Sequence, residues 1–113
     1  MDEKSILVVD SATRTRRLLV EKLVEQGYVV TTFDSVSLSG KILKDCDYDL
    51  VIVEGSVNPI GPEDDGVEWA LSICDIVPVI VFSLTKYSFT QNGICYFNKI
   101  EGHQSLLDRI SKI

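Results

Sequence analysis

The chain of 113 residues and 12.6 kDa has room for one domain and is too short for two. Hydrophobic residues make up 45% and charged residues 25%, which is ordinary globular usage and excludes a disordered, collagen-like or coiled-coil chain. The net charge of −6 argues against a basic surface that neutralises phosphates, so we expect no direct binding of nucleic acid.

The predicted elements alternate between strands and helices from one end of the chain to the other. Apolar, β-branched runs predict strands, and apolar residues at helical spacing predict the helices between them. The predicted strands are Ser5–Asp10, Tyr28–Phe33, Leu50–Glu54, Pro78–Phe82 and Ile94–Phe97. The predicted helices are Thr13–Gln26, Ser35–Lys44, Val67–Asp75 and His103–Lys112, with only weak helical character in Ser83–Gly93.

Strands that alternate with helices predict βαβ units and a parallel sheet. The runs Ile6–Val9, Leu50–Val53 and Val79–Phe82 are apolar at every position, as expected of strands covered by helices on both faces. Residues 55–65 combine Gly, Pro and acidic residues and predict a loop. Because no repeat or linker divides the chain, residues 1–113 are predicted to form a single domain.

Polar residues stand where the predicted strands end. In open α/β sheets the functional crevice lies at the carboxyl ends of the strands. The first strand ends in Asp10 and is followed by Ser11, the third ends in Glu54, and Ser83 and Lys99 follow the fourth and fifth. Two carboxylates, hydroxyl groups and an ammonium at one edge of the sheet predict a polar pocket.

In that combination and order, these residues resemble the receiver domain of bacterial two-component response regulators. The resemblance spans essentially the whole chain. It is carried by Ile6-Leu-Val-Val-Asp10, Tyr48-Asp-Leu-Val-Ile-Val-Glu54, Gly66, Pro78-Val-Ile-Val-Phe-Ser83 and Tyr96-Phe-Asn-Lys99. It implies an α/β, flavodoxin-like (βα)5 three-layer sandwich with a parallel five-stranded sheet of order 2-1-3-4-5. The fourth helix is expected to be short or degenerate, since only twelve residues separate Ser83 from Tyr96.

The resemblance also implies a phosphorylation site at the strand ends. In this family an aspartate that ends the third strand accepts a phosphoryl group from a histidine kinase, and two acidic residues after the first strand help to bind Mg²⁺. Ser83 and Lys99 match the residues that contact the phosphoryl oxygens, and Tyr96 matches the aromatic residue that reports the change. Asp10 matches the first residue of the acidic pair.

Three positions depart from the family pattern. Glu54 occupies the acceptor position, and its extra methylene displaces the carboxylate by about 1 Å, enough to slow a reaction strongly. Ser11 replaces the second acid, which weakens a Mg²⁺ site. Ile100 replaces the usual proline, so we expect a trans peptide bond after Lys99.

These departures predict an atypical receiver, or pseudo-receiver, with Glu54 at the phosphoacceptor-equivalent position. We expect no resident cofactor and only a weak or lost Mg²⁺ site at Asp10, Glu54 and Ser56. Two interpretations of Glu54 stay open: a mimic of the phosphorylated state beside Lys99, or a carboxylate kept only to pair with that lysine.

The predicted function is signalling through a protein partner, either a histidine kinase or a downstream protein, without enzymatic turnover. One alternative is a receiver that still accepts phosphate with Mg²⁺. Another is a flavodoxin-like small-molecule binder, although Ser11-Ala12-Thr13 is not a Gly-rich phosphate loop.

Other features of the sequence bear on location and assembly. The apolar runs are far shorter than the roughly 20 residues that cross a bilayer, and Met1-Asp2-Glu3 does not begin a signal sequence. We expect a cytoplasmic bacterial protein that avoids membranes and is a monomer or weak homodimer. Cysteines at 46, 74 and 95 predict neither a disulfide framework nor a zinc site. The sequence leaves open whether the chain is a whole protein or one domain of a longer regulator.

Overall fold

The sheet has the predicted topology. The computed structural model describes residues 3–36, 39, 43, 47–57, 65–84 and 94–112, with Glu101 described by its backbone alone. The strands are β1 (Ser5–Val9), β2 (Val29–Phe33), β3 (Leu50–Val53), β4 (Val79–Ser83) and β5 (Ile94–Asn98). Every neighbouring pair is parallel and the order is β2-β1-β3-β4-β5, which confirms the predicted fold class.

Helices cover both faces of this sheet. They are α1 (Thr13–Glu25), α2 (Asp65–Ile73) and α3 (Gln104–Ile110), and a 3-10 turn spans Lys99–Glu101. One face packs with α2 and the other with α1 and α3, which makes a three-layer sandwich. In the described part of the chain, none of these helices has the length and apolar character that a membrane span requires.

Strand alternation divides the core into two clusters. In β1, Leu7 and Val9 point towards α2, whereas Ile6 and Val8 point towards α1 and α3. All four are almost completely buried, and each contributes roughly 1.5–3 kcal/mol by leaving water. A shift of one residue in the pairing would send every side chain to the opposite face, so burial on both faces sets the register of the sheet.

Several predicted boundaries move by one or two residues. Strands β1 and β3 end at Val9 and Val53, so Asp10 and Glu54 lie just beyond them. Backbone pairing nevertheless continues, since Asp10 N donates to Phe33 O at 3.1 Å and Glu54 N donates to Val9 O at 2.9 Å. The ranges of α1, α2 and α3 differ from prediction by up to two residues at either end.

Two predicted segments lie largely outside the described residues. Of the predicted helix Ser35–Lys44, the structure shows Val36, Ser39 and Leu43 as helical. The predicted short fourth helix in Ser83–Gly93 falls on residues 85–93, which are not described. Cys74 and Cys95 are half-buried free thiols, and Cys46 is outside the described residues.

The start of α2 lies directly against the end of β3. The backbone nitrogens of Gly66 and Val67 both donate to Gly55 O, at 2.9 and 3.2 Å. Asp65 Oδ1 accepts a hydrogen bond from Val57 N at 2.6 Å. A Cβ atom on Gly66 would overlap the backbone carbonyl of Glu54, so this close approach requires glycine.

We expect Gly66→Ala to lower the free energy of unfolding by about 1–3 kcal/mol, because the added methyl group forces α2 away from the Glu54 backbone. Urea unfolding measures the change. The matched control is Glu68→Ala, an exposed position in the same helical turn, which should stay within about 0.5 kcal/mol of the parent. Since alanine has the higher helix propensity, an unchanged or raised midpoint for Gly66→Ala would contradict the packing argument.

Candidate functional site

Lys99 binds two carboxylates at the carboxyl edge of the sheet. Its Nζ lies 2.6 Å from Asp10 Oδ2 and 2.5 Å from Glu54 Oε2. The side chains of Lys99 and Asp10 are each 7% exposed and that of Glu54 is 13% exposed. We call these three residues the ion cluster. Their low exposure makes each charge dependent on the others, because a buried charge without a partner is costly.

Glu54 is held by both of its carboxylate oxygens. Oε2 pairs with Lys99, and Oε1 accepts from the Ser83 hydroxyl at 2.5 Å. The Ser56 backbone nitrogen donates to the same Oε1 at 3.5 Å. Ser83 ends β4 and is 2% exposed, so it reaches Glu54 from the neighbouring strand inside the protein. The carboxylate therefore has a fixed orientation.

Asp10 is held in the same way. Oδ2 pairs with Lys99, and Oδ1 accepts from Ala12 N at 2.8 Å. The Arg16 guanidinium, from the first turns of α1, donates to the Asp10 backbone carbonyl at 2.5 Å. The sequence contains no clear signal for this contact, because Arg14 and Arg17 also lie in the first turns of the same helix.

The turn after β5 places Lys99. Asn98 Oδ1 accepts from Ile100 N at 2.8 Å and so starts the 3-10 turn. The described residues contain no cis peptide bond, in agreement with the trans bond expected before Ile100. Lys99 Nζ also lies 5.9 Å from the centroid of the Phe82 ring, within the range of a cation–π contact.

The remaining predicted site residues are Ser11, Ser56 and Tyr96. The side chains of Ser11 and Ser56 are exposed at the sheet edge. Tyr96 is half-buried on β5 and packs against the core face that α2 covers. Burial, together with a smaller effect of Cys74, raises the pKa of the Tyr96 phenol above its ordinary value.

The arrangement does not fit a resident Mg²⁺ ion. All four carboxylate oxygens of Asp10 and Glu54 already accept from Lys99, Ser83 or the backbone. Ser11 offers a hydroxyl where a further carboxylate would be needed. Across the residues that the structure describes, no group of three His, Cys, Asp or Glu side chains is arranged to hold a metal. The Lys99 ammonium is the cation that these carboxylates bind.

Solved structures resemble this chain over almost its whole length. The response regulator TrrA of Thermotoga maritima, in complex with Mg²⁺-BeF, is 26% identical with a TM-score of 0.80, covering 96% of this chain and 97% of that one. The signal receiver domain of an HD domain-containing protein from Pseudomonas fluorescens Pf-5 is 19% identical with a TM-score of 0.83, covering 98% and 94%. The chain has the receiver-domain fold.

A second structure of TrrA bears on the same point. In that structure TrrA is in complex with the histidine kinase ThkA. The match is 27% identical to this chain with a TM-score of 0.79, and it covers 96% of this chain and 97% of the other. These likenesses support the identification of the chain as a receiver domain of a two-component response regulator. No protein-family model matches this chain, and no curated protein matches its sequence.

We expect Lys99→Met to lower the free energy of unfolding by about 3–5 kcal/mol, because Asp10 and Glu54 would lose their shared counter-charge inside the protein. Urea unfolding at pH 7 measures this loss. The double variant Lys99→Met with Glu54→Gln should recover part of the stability, since one of the two uncompensated charges is removed.

Lys112→Met is the control for loss of a positive charge at an exposed site, and it should change stability by less than about 0.5 kcal/mol. If Lys99→Met were as stable as this control, the ion cluster would not be a structural element of the fold.

Proposed function

We propose that this receiver domain signals by binding a protein partner, with its pocket held in one conformation by Glu54 and without phosphorylation in the usual way. The proposal rests on one observation: the Glu54 carboxylate accepts a hydrogen bond from Ser83 Oγ and pairs with Lys99 Nζ. By the family resemblance, these two groups would contact the oxygens of a phosphoryl group. Here they bind the side chain that stands at the acceptor position.

Charge and geometry support the same proposal. A phosphoryl group carries about −1.5 to −2 charges, and Glu54 places a single negative charge among the same donors. To accept phosphate, Glu54 would have to release both Lys99 and Ser83 inside a pocket that is mostly closed to water. Lys99 neutralises the carboxylates of Asp10 and Glu54. Ser11, which stands where the family has a second acid, is uncharged and exposed, so it adds no further negative charge to attract Mg²⁺.

The proposed site comprises Asp10, Ser11, Glu54, Ser56, Ser83, Tyr96 and Lys99. The complex of TrrA with the histidine kinase ThkA supports a protein as the partner class, either a histidine kinase or a downstream signalling protein. We propose further that residues 1–113 form one cytoplasmic domain, monomeric or weakly dimeric, without nucleic-acid binding or enzymatic turnover. The net charge of −6 supports the absence of a nucleic-acid surface.

Beryllofluoride, which mimics a phosphoryl group, tests the proposal in an amide NMR titration with Mg²⁺. For the unmodified chain we expect no saturable shifts at Asp10, Glu54, Ser83 or Lys99, because the donors are already bound. Acetyl phosphate with Mg²⁺ should likewise leave the mass of the protein unchanged.

The comparison variant carries Ser11→Asp and Glu54→Asp, which restore a second acid and the shorter carboxylate. Saturable shifts in this variant and none in the unmodified chain would support the proposal. Saturable shifts in the unmodified chain that spread to Tyr96 would overturn it and favour a receiver that still accepts phosphate. Visible absorbance in the purified protein would instead favour a flavin-type ligand.

A further inference from the structure

His103 contacts a residue that also borders the ion cluster. The imidazole and the Phe82 ring have centroids 5.6 Å apart and planes at 47°. Phe82 is 2% exposed, and Lys99 Nζ lies 5.9 Å from the centroid of the same ring. The His103 carbonyl accepts from Leu107 N at 2.9 Å and so begins α3. His103 thus joins the start of α3 to the side of the pocket that holds Lys99.

The surroundings of His103 favour a neutral imidazole. Its Nε2 is buried, and none of the residues that the structure describes forms a hydrogen bond with it. A protonated ring would therefore hold an N–H donor at the buried Nε2 without an acceptor. His103 also precedes the first turn of α3, where the helix dipole disfavours a cation.

Charged groups on other elements act in the same direction. Burial is the main cause that lowers the pKa of His103 below its ordinary value of 6.5, and the positive charges of Lys22 on α1 and Lys99 after β5 lower it further. The carboxylates of the ion cluster and of α3 have other partners: Asp10 and Glu54 pair with Lys99, and Asp108 accepts from Gln104 at 2.9 Å.

We propose that His103 is a pH-sensitive latch, whose neutral imidazole docks the start of α3 on Phe82 and whose protonation releases that docking beside Lys99. A proton on Nε2 must reach an acceptor or water, so the half-buried ring has to move until Nε2 is no longer enclosed. Gly102, at φ 83°, precedes it and leaves the backbone free to turn. This device goes beyond the proposed function and operates whether or not Glu54 accepts phosphate.

The direction of the pH effect follows from the lowered pKa. The unfolded imidazole binds a proton near pH 6.5, whereas the folded imidazole binds it only at lower pH. The contribution of His103 to stability is therefore fully present above pH 6.5 and is lost as the pH falls through the folded pKa.

NMR of the whole chain tests the latch directly, because the sequence contains a single histidine and its imidazole signals are unambiguous. Between pH 8 and pH 5 we expect the imidazole to titrate with a midpoint below 6.5. The Phe82 ring and the amides of Lys99 and 104–107 should shift with the same midpoint. A midpoint at or above 6.5, or an imidazole that titrates while these signals stay still, would overturn the proposal.

Three variants separate the latch from general acid effects. His103→Asn should remain folded at pH 7.5 and lose the coupled shifts, and their persistence in this variant would overturn the proposal. Lys22→Gln should raise the imidazole midpoint, because it removes one of the facing charges. Lys112→Gln, at an exposed position two residues after α3 ends, should leave the midpoint unchanged. An equal midpoint in the two lysine variants would contradict the assigned role of Lys22.

Discussion

The buried ammonium of Lys99 is the constraint on which the rest of the site depends. Removing a charge from water costs several kcal/mol unless partners with good geometry replace the lost hydration. Asp10 and Glu54 supply those partners from the ends of β1 and β3, while Lys99 arrives from the end of β5. Three segments far apart in the chain must therefore meet within hydrogen-bond distance, and the parallel sheet is the element that brings them together.

The sheet can hold this geometry because its register has little freedom. Its central strands are buried on both faces, so a shifted pairing would misplace every core side chain. The end of β3 is further fixed by α2, whose Gly66 lies against the Glu54 carbonyl. The position of the Glu54 side chain thus depends on backbone contacts that come from both the neighbouring strands and a helix.

We propose that Glu54 changes what a pocket of this kind does. Receiver structures such as that of TrrA with Mg²⁺-BeF share this fold, so the fold alone does not separate a domain that binds such ligands from one that does not. We propose that the two kinds of domain differ in which oxygens bind the Ser83 hydroxyl and the Lys99 ammonium. In this chain they come from the protein itself, and regulation would then pass through neighbouring groups such as Phe82 and His103 rather than through an added phosphate.

The amino-acid sequence was enough to predict the strands, their burial on both faces and the gathering of Asp10, Glu54, Ser83 and Lys99 at one edge. These follow from local hydrophobic patterns and from the rule that parallel strands share a carboxyl edge. The strand order came from family resemblance and was confirmed by the pairing. Three contacts are visible only in the folded protein: Lys99 binds both carboxylates, Arg16 donates to the Asp10 carbonyl, and His103 packs on Phe82. Such contacts join residues as much as 89 positions apart, and they depend on side-chain directions and inter-element distances that no local pattern encodes.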